Sequence, residues 1–296
     1  MISNPIPWPN GARCAACVTF DMDADSLVHI GHPTEGHSRV SAISMLQYGP
    51  KVAIPRIVDS YAALGIKQTF FIPAWCIETY PEAVEMILKG GHEIAHHGFM
   101  HEHPRELSDA DEEHWLDRGI EVIVRATGQR PRGWRAPLYN FSHRSADLLA
   151  ARGFVYDASL MGDDQPYLLD SSAGRLVELP SHWGLDDWPQ YVQSMDLDYM
   201  MPIRAPEHGL ATFAQEFEAS YAHGGLWVPV VHPFATGRLA RWYVWHRFLE
   251  GLRARGDVWF APMEDIAAHV LAVVASGEWH PRVDQLPYFA QPVKAI

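Results

Sequence analysis

Gly91-His92-Glu93-Ile94-Ala95-His96-His97-Gly98-Phe99-Met100-His101-Glu102-His103-Pro104 is the stretch on which the reading turns. Five of its fourteen residues are histidine, and they follow an apolar, strand-like run. His97 and His101 stand four apart across a glycine-containing turn, close enough for two imidazoles to meet one cation. A divalent ion held by nitrogen needs at least one more ligand, and the best candidate lies far back in the chain. Thr19-Phe20-Asp21-Met22-Asp23 ends another apolar run on two carboxylates. Two apart on a strand, Asp21 and Asp23 share a face. One can ligate the ion while the other takes a proton from water. The remaining chain must then bring the two strand ends together.

Its rhythm suits that task. A strand is expected over residues 14–20, a helix over 52–64 stopped by Gly65, a strand over 67–73, a helix from Pro81 to Gly90, and a strand over 92–96. A helix follows from Ser108, which has good N-cap chemistry, to Thr127. Beyond it come a strand at 133–135, a helix at 143–152, and strands at 154–156 and 176–180. Gly225 to Val231 reads as a buried strand ending at His232-Pro233, and a helix with Trp242, Trp245 and Phe248 on one face follows. A last strand and helix cover 257–260 and 263–274. Alternation of this kind implies a mostly parallel sheet, with polar clusters just after the strands. In a closed barrel those strand ends share one mouth, where catalysis sits. The expected fold is α/β, a distorted parallel (β/α)7-type barrel, with residues 1–296 as a single domain and a barrel core at about 12–275. The segment 24–50 reads as a long loop forming an active-site wall, and 182–200 as a loop rich in Trp, Asp and Tyr.

Composition narrows the partners. A formal net charge of −13 with no basic stripe excludes nucleic acid and anionic membrane as partners and leaves a small-molecule substrate. Three cysteines cannot build a disulfide framework, and the Cys14-x-x-Cys17 spacing has no second pair to complete a zinc ribbon. Both are read as small core residues. Met1 to Asn10 carries three prolines and no basic residue, unlike a signal peptide, so a cytoplasmic location is expected.

The pairing of TFDMD with HHGFMH resembles the polysaccharide deacetylase superfamily, metal-dependent hydrolases with a NodB-type catalytic domain. The usual pattern there has adjacent aspartates, whereas Met22 separates them here. The spaced form is similar to the branch with signal-less peptidoglycan deacetylases, cyclic imide hydrolases and allantoinases. The resemblance implies Asp23, His97 and His101 as ligands to one divalent metal ion, with zinc the leading identity. It implies Asp21 as general base, oriented by Arg135 of the Arg-x-Pro motif. His232 would be the general acid, paired with a carboxylate of Leu185-Asp186-Asp187-Trp188; Asp187 is favoured and Asp186 left open. Trp188, Trp183 and Tyr191 would line the pocket, and a backbone N–H near Leu138 or Tyr139 would face the oxyanion. A homo-oligomer, with a tetramer favoured, also follows from the resemblance. The chemistry expected is hydrolysis of a non-peptide carbon–nitrogen bond. A small cyclic imide or amide is the leading substrate and an N-acetyl sugar or peptidoglycan the alternative. Allantoinase and a non-catalytic carbohydrate-binding module stand behind them.

Overall fold

Thr69–Ile72 and Glu93–His96 are buried at every position, as parallel strands covered on both faces must be. They form the centre of the sheet in the computed structural model, which describes residues 1–294. Twelve strands occur among the described residues. In chain order they are β1 (Cys14–Ala16), β2 (Thr19–Asp21), β3 (Thr69–Ile72), β4 (Glu93–His96), β5 (Gly133–Trp134) and β6 (Tyr156–Asp157). There follow β7 (Tyr167–Ser171), β8 (Gly174–Glu178), β9 (Leu226–Trp227), β10 (Val230–Val231), β11 (Val258–Phe260) and β12 (Val283–Gln285). The main series runs β10-β2-β3-β4-β5-β6-β8, seven strands that are parallel throughout. A parallel bridge from Asp186 to Val230 brings the chain beyond β8 back to β10. This is the mostly parallel α/β architecture of a distorted (β/α)7 barrel.

Two expected strands are each broken in two. Residues 14–20 form β1 and β2, which have different neighbours: β1 pairs with β9 and β11, β2 with β10 and β3. At the switch the Val18 N–H leaves the ladder for Gln68 Oε1, 2.5 Å away. The run 225–231 breaks beside Pro229, which has no N–H for the ladder, although its carbonyl still accepts from Thr19 N at 2.9 Å. The expected strand at 176–180 is the second strand of a hairpin; β7 pairs antiparallel with β8 and carries β12.

The segment 24–50 is also more ordered than a loop. It contains helices at Ser26–Gly31 and Val40–Tyr48 joined by a turn at Gly36–Ser38. A helix at Pro206–His223, absent from the sequence reading, buries Phe213 and Phe217 against Trp227 and Trp245. Phe20, Tyr61, Phe70 and Trp242 make a second aromatic cluster beneath the strands. Each such buried ring contributes ~1.5–3 kcal/mol. Cys14 and Cys17 are buried and free, as read. No helix among the described residues is long and apolar enough to cross a membrane.

Candidate active site

β2 ends at Asp21, β4 at His96, β5 at Trp134 and β10 at Val231, so the next residues of all four emerge at one end of the sheet. The turn after β4 is fixed locally. Gly98 takes a left-handed φ of 74° and donates its N–H to His96 Nδ1 at 3.1 Å. The Glu102 carboxylate accepts from the N–H groups of Phe99 and Met100 at 2.7–3.0 Å. His101 itself has a φ of 66°, a conformation that costs a non-glycine residue ~1–3 kcal/mol. Ala24, Leu138 and Tyr139 share that handedness. Of the six non-glycine residues with positive φ among the described residues, His101, Leu138 and Tyr139 therefore line one recess, and Ala24 follows Asp23 directly.

The aspartates and histidines converge there as expected. His97 Nε2 lies 3.3 Å from Asp23 Oδ1 and 3.7 Å from Asp21 Oδ2, and His101 Nε2 lies 3.6 Å from Asp23 Oδ2. The Asp23 carbonyl is held by Ser26 Oγ at 2.7 Å and Cys76 Sγ at 3.0 Å. Asp21 Oδ1 accepts from Arg135 Nη1 at 2.6 Å, and the same nitrogen reaches Thr19 Oγ1 at 2.9 Å. Arg135 Nε donates to the Ala158 carbonyl at 3.1 Å, and the guanidinium lies 4.0 Å over the Phe71 ring. Asp21 is thus turned by an arginine that is only 1% exposed.

The donor set fits a divalent metal ion. Ligand atoms of Asp23, His97 and His101 lie within 4.8 Å of one another. His97 donates Nδ1–H to the Arg135 carbonyl at 2.8 Å, which turns Nε2 toward the aspartates. Burial opposes a charged ring but their carboxylates raise it above the usual histidine range, so a cation bound there would take the place of a proton. Burial outweighs the pull of Asp23 on His101 and pushes its imidazole down to about 3, so it offers a lone pair. Asp23 Oδ1 is buried without any hydrogen-bond donor, an atom that a cation would satisfy. Asp186, Asp187 and His232 also cluster within 4.8 Å, but both Asp187 oxygens are already taken.

Asp187 is the partner of His232. Its Oδ1 lies 2.6 Å from His232 Nδ1, and Oδ2 accepts the His232 N–H at 3.0 Å. Burial opposes a charged imidazole, but the Asp187 carboxylate outweighs it and holds His232 well above the ordinary histidine range. Asp186 faces the other way, accepting from Tyr139 Oη at 2.7 Å and Trp188 N at 2.8 Å. Burial pushes its carboxyl up to about 6.

Of the residues picked from the sequence, all but Asp187 and Tyr191 line this recess; Asp187 sits behind His232 instead. The recess has a volume of about 30 Å³ and opens on a cavity of about 690 Å³. Leu138 and Trp183 stand exposed at the junction, with Trp183 edge-on to Tyr139 at 4.8 Å. Trp188 packs edge-on against His232 at 5.3 Å. Tyr191 does not line the pocket: it is buried, with its hydroxyl donated to the Pro206 carbonyl at 2.8 Å. The Tyr139 N–H is spent on the Ala136 carbonyl at 2.9 Å, so of the two oxyanion candidates Leu138 is left. The sequence reading missed Thr19, Phe71 and Thr236 behind the site, and His32, His103 and Tyr199 in the outer cavity. His103 belongs to the histidine-rich stretch 91–104, His32 to the long segment 24–50 and Tyr199 to the segment 182–200, but nothing in their spacing singles them out.

A parallel α/β barrel thus carries at its strand ends a carboxylate–imidazole triad with the donors to hold a metal ion. A family profile described as polysaccharide deacetylase matches residues 37–156. A peptidoglycan deacetylase of Helicobacter pylori is 32% identical over 196 residues, covering 58% of this chain and 67% of that protein. A peptidoglycan deacetylase-like protein of Gibberella zeae is 35% identical over 212 residues, 62% of each chain. A Mycobacterium smegmatis crystal structure assigned to the polysaccharide deacetylases superposes with a TM-score of 0.90 at 36% identity, covering 99% of both chains. The Puue allantoinase structure, at 24% identity and a TM-score of 0.79 over 91% of this chain and 95% of its own, shares the fold. The chain belongs to the polysaccharide deacetylase family, hydrolases of carbon–nitrogen bonds other than peptide bonds.

Proposed function

We propose that this protein removes N-acetyl groups from amino sugars of a glycan such as peptidoglycan, by metal-assisted hydrolysis. The observation that carries this reading is the His232–Asp187 pair at 2.6 Å. An amine is a poor leaving group and must be protonated as it departs, so its enzyme needs an imidazole that keeps its proton. An imide nitrogen leaves as an amide whose charge spreads onto the second carbonyl, and needs such an acid far less. The cyclic-imide reading favoured from the sequence is therefore the weaker one. The Helicobacter pylori relative is a peptidoglycan deacetylase and the Gibberella zeae relative is described as like one, and the allantoinase likeness extends to the fold alone.

Asp23, His97 and His101 would hold the ion, and two imidazoles with one carboxylate suit zinc. Bound there, it would polarise the acetyl carbonyl and lower the pKa of a water molecule. Asp21, aimed by Arg135, accepts a proton as the water oxygen bonds to the carbonyl carbon. The Leu138 N–H faces the oxygen that gains charge. His232 then donates its proton to the nitrogen, the C–N bond breaks, and acetate and a free amine leave. The recess of about 30 Å³ takes the acetyl group, and the cavity of about 690 Å³, walled by Trp183 and Trp188, takes the sugar rings. Exposed Met195, Met200, Met201 and Ile203 support the proposed homo-oligomer, a tetramer by resemblance. Three buried free thiols support a cytoplasmic location.

The test is a comparison of leaving groups in one variant. His232→Ala should lose ~10²-fold or more in kcat on an N-acetyl sugar and much less on succinimide. Equal losses on both would sink the assignment of His232 as acid.

A further inference from the structure

The oxygen of Asp187 that faces away from the imidazole is heavily committed. Oδ2 accepts the backbone N–H of His232 at 3.0 Å, the backbone N–H of Thr236 at 3.1 Å and the hydroxyl of Thr236. Oδ1 has His232 Nδ1 at 2.6 Å. Asp187 and Thr236 are both 0% exposed, so no solvent can substitute for a lost donor. The three donors on Oδ2 are not equivalent. The Thr236 N–H is shared with the His232 carbonyl at 3.0 Å, inside the turn that follows β10. Any residue at 236 other than proline would supply that amide. The hydroxyl is the one contribution that depends on the side chain.

We propose that Thr236 is a positioning residue for the general acid: its hydroxyl locks the Asp187 carboxylate so that the remaining oxygen holds the His232 ring in line with the departing nitrogen. This rests on the deacetylase reading above. A carboxylate with one oxygen under-held can rotate about its Cβ–Cγ bond and carry the imidazole with it. A small misalignment of a proton donor slows donation without altering substrate binding. The defect would therefore fall on kcat, and only where the leaving group needs the proton.

The experiment compares a poor and a good leaving group in the same variants, using zinc-loaded enzyme. N-acetylchitopentaose expels an amine, whereas 4-nitrophenyl acetate expels a phenolate that leaves unaided. Thr236→Val keeps the shape and removes the hydroxyl. It should lower kcat on the oligosaccharide about tenfold, part of the ~10²–10⁴-fold that acid catalysis supplies, with KM little changed. Its rate on the aryl ester should stay within about twofold of wild type, and Thr236→Ser should restore the oligosaccharide rate. Should the valine variant not fold, Thr236→Ala beside Thr236→Ser gives the same contrast. A uniform loss on both substrates means packing rather than positioning and overturns the proposal, as does full activity of the valine variant on the oligosaccharide. Wild-type enzyme that cleaves the ester but releases no acetate from the oligosaccharide overturns the deacetylase reading, and this inference with it.

Discussion

Replacing Asp21 with Asn changes one charge and almost no volume, which makes it the sharpest probe at the residue scale. The amide can still accept from Arg135 but cannot take a proton from water. Asp21→Asn should keep its zinc and lose ~10²–10⁴-fold in kcat. His97→Ala should lose the zinc as well, because it removes one of three ligands; kcat and elemental analysis on both variants read the difference. An Asp21→Asn enzyme that turns over near the wild-type rate moves the base elsewhere. At this scale the sequence was informative where residue type and spacing carry the chemistry, as for Asp21, Asp23, His97 and His101. It favoured Asp187 over Asp186 but left both open, because adjacent residues differ only in which way the backbone turns them. Thr236 gave no sign either, since a threonine four residues beyond a histidine has no distinctive type or spacing. Tyr191 was misplaced for the opposite reason: an aromatic beside pocket residues looks the same whether it faces the pocket or the core.

Helix packing decides what the elements can tolerate, and two helical glycines respond oppositely. A Cβ on Gly119, in the helix Asp109–Thr127, would stand 2.1 Å from His96 Nε2. That ring is buried and pinned between the Gly98 N–H and the Leu116 carbonyl, so it cannot give way. Gly119→Ala should destabilise by ~1–3 kcal/mol despite a better helix propensity. Gly251, in the helix Leu239–Ala254, has open space around it. Gly251→Ala should stabilise by ~0.4–1 kcal/mol. Urea denaturation of the two variants gives the signs, and a stabilised Gly119→Ala contradicts this packing. Elements with strong apolar runs or bracketing glycines, such as β3, β4 and the helix Ile54–Leu64, were legible in advance. The helix Val40–Tyr48 was not, because only Ala42 and Leu46 are buried and they pack on a distant segment around Tyr191 and Phe234. The helix Pro206–His223 buries only Gly209, Phe213 and Phe217 among charged neighbours, too thin a stripe to stand out.

For the whole molecule, Glu93 links stability to pH. It accepts from Tyr156 Oη at 2.7 Å, Thr69 Oγ1 at 2.6 Å and Glu264 N at 3.0 Å, yet burial pushes its carboxyl up to about 7 from 4.5. Between those values the native state binds more protons than the unfolded chain, so stability falls as pH rises. The loss from this group is about 3 kcal/mol by pH 7 and levels off above it. Glu93→Gln, a neutral mimic of the protonated form, should flatten that part of the profile in urea melts at pH 5 to 8. An unchanged slope in the variant removes Glu93 as its source. The claim on which the account turns is the substrate. Its most direct test is acetate release from N-acetylchitopentaose by the zinc-loaded wild-type protein, measured beside ring opening of succinimide and dihydrouracil. The account predicts acetate release with a kcat/KM at least about tenfold above either imide, roughly 1.4 kcal/mol of transition-state preference. Rapid ring opening with no acetate released would contradict it.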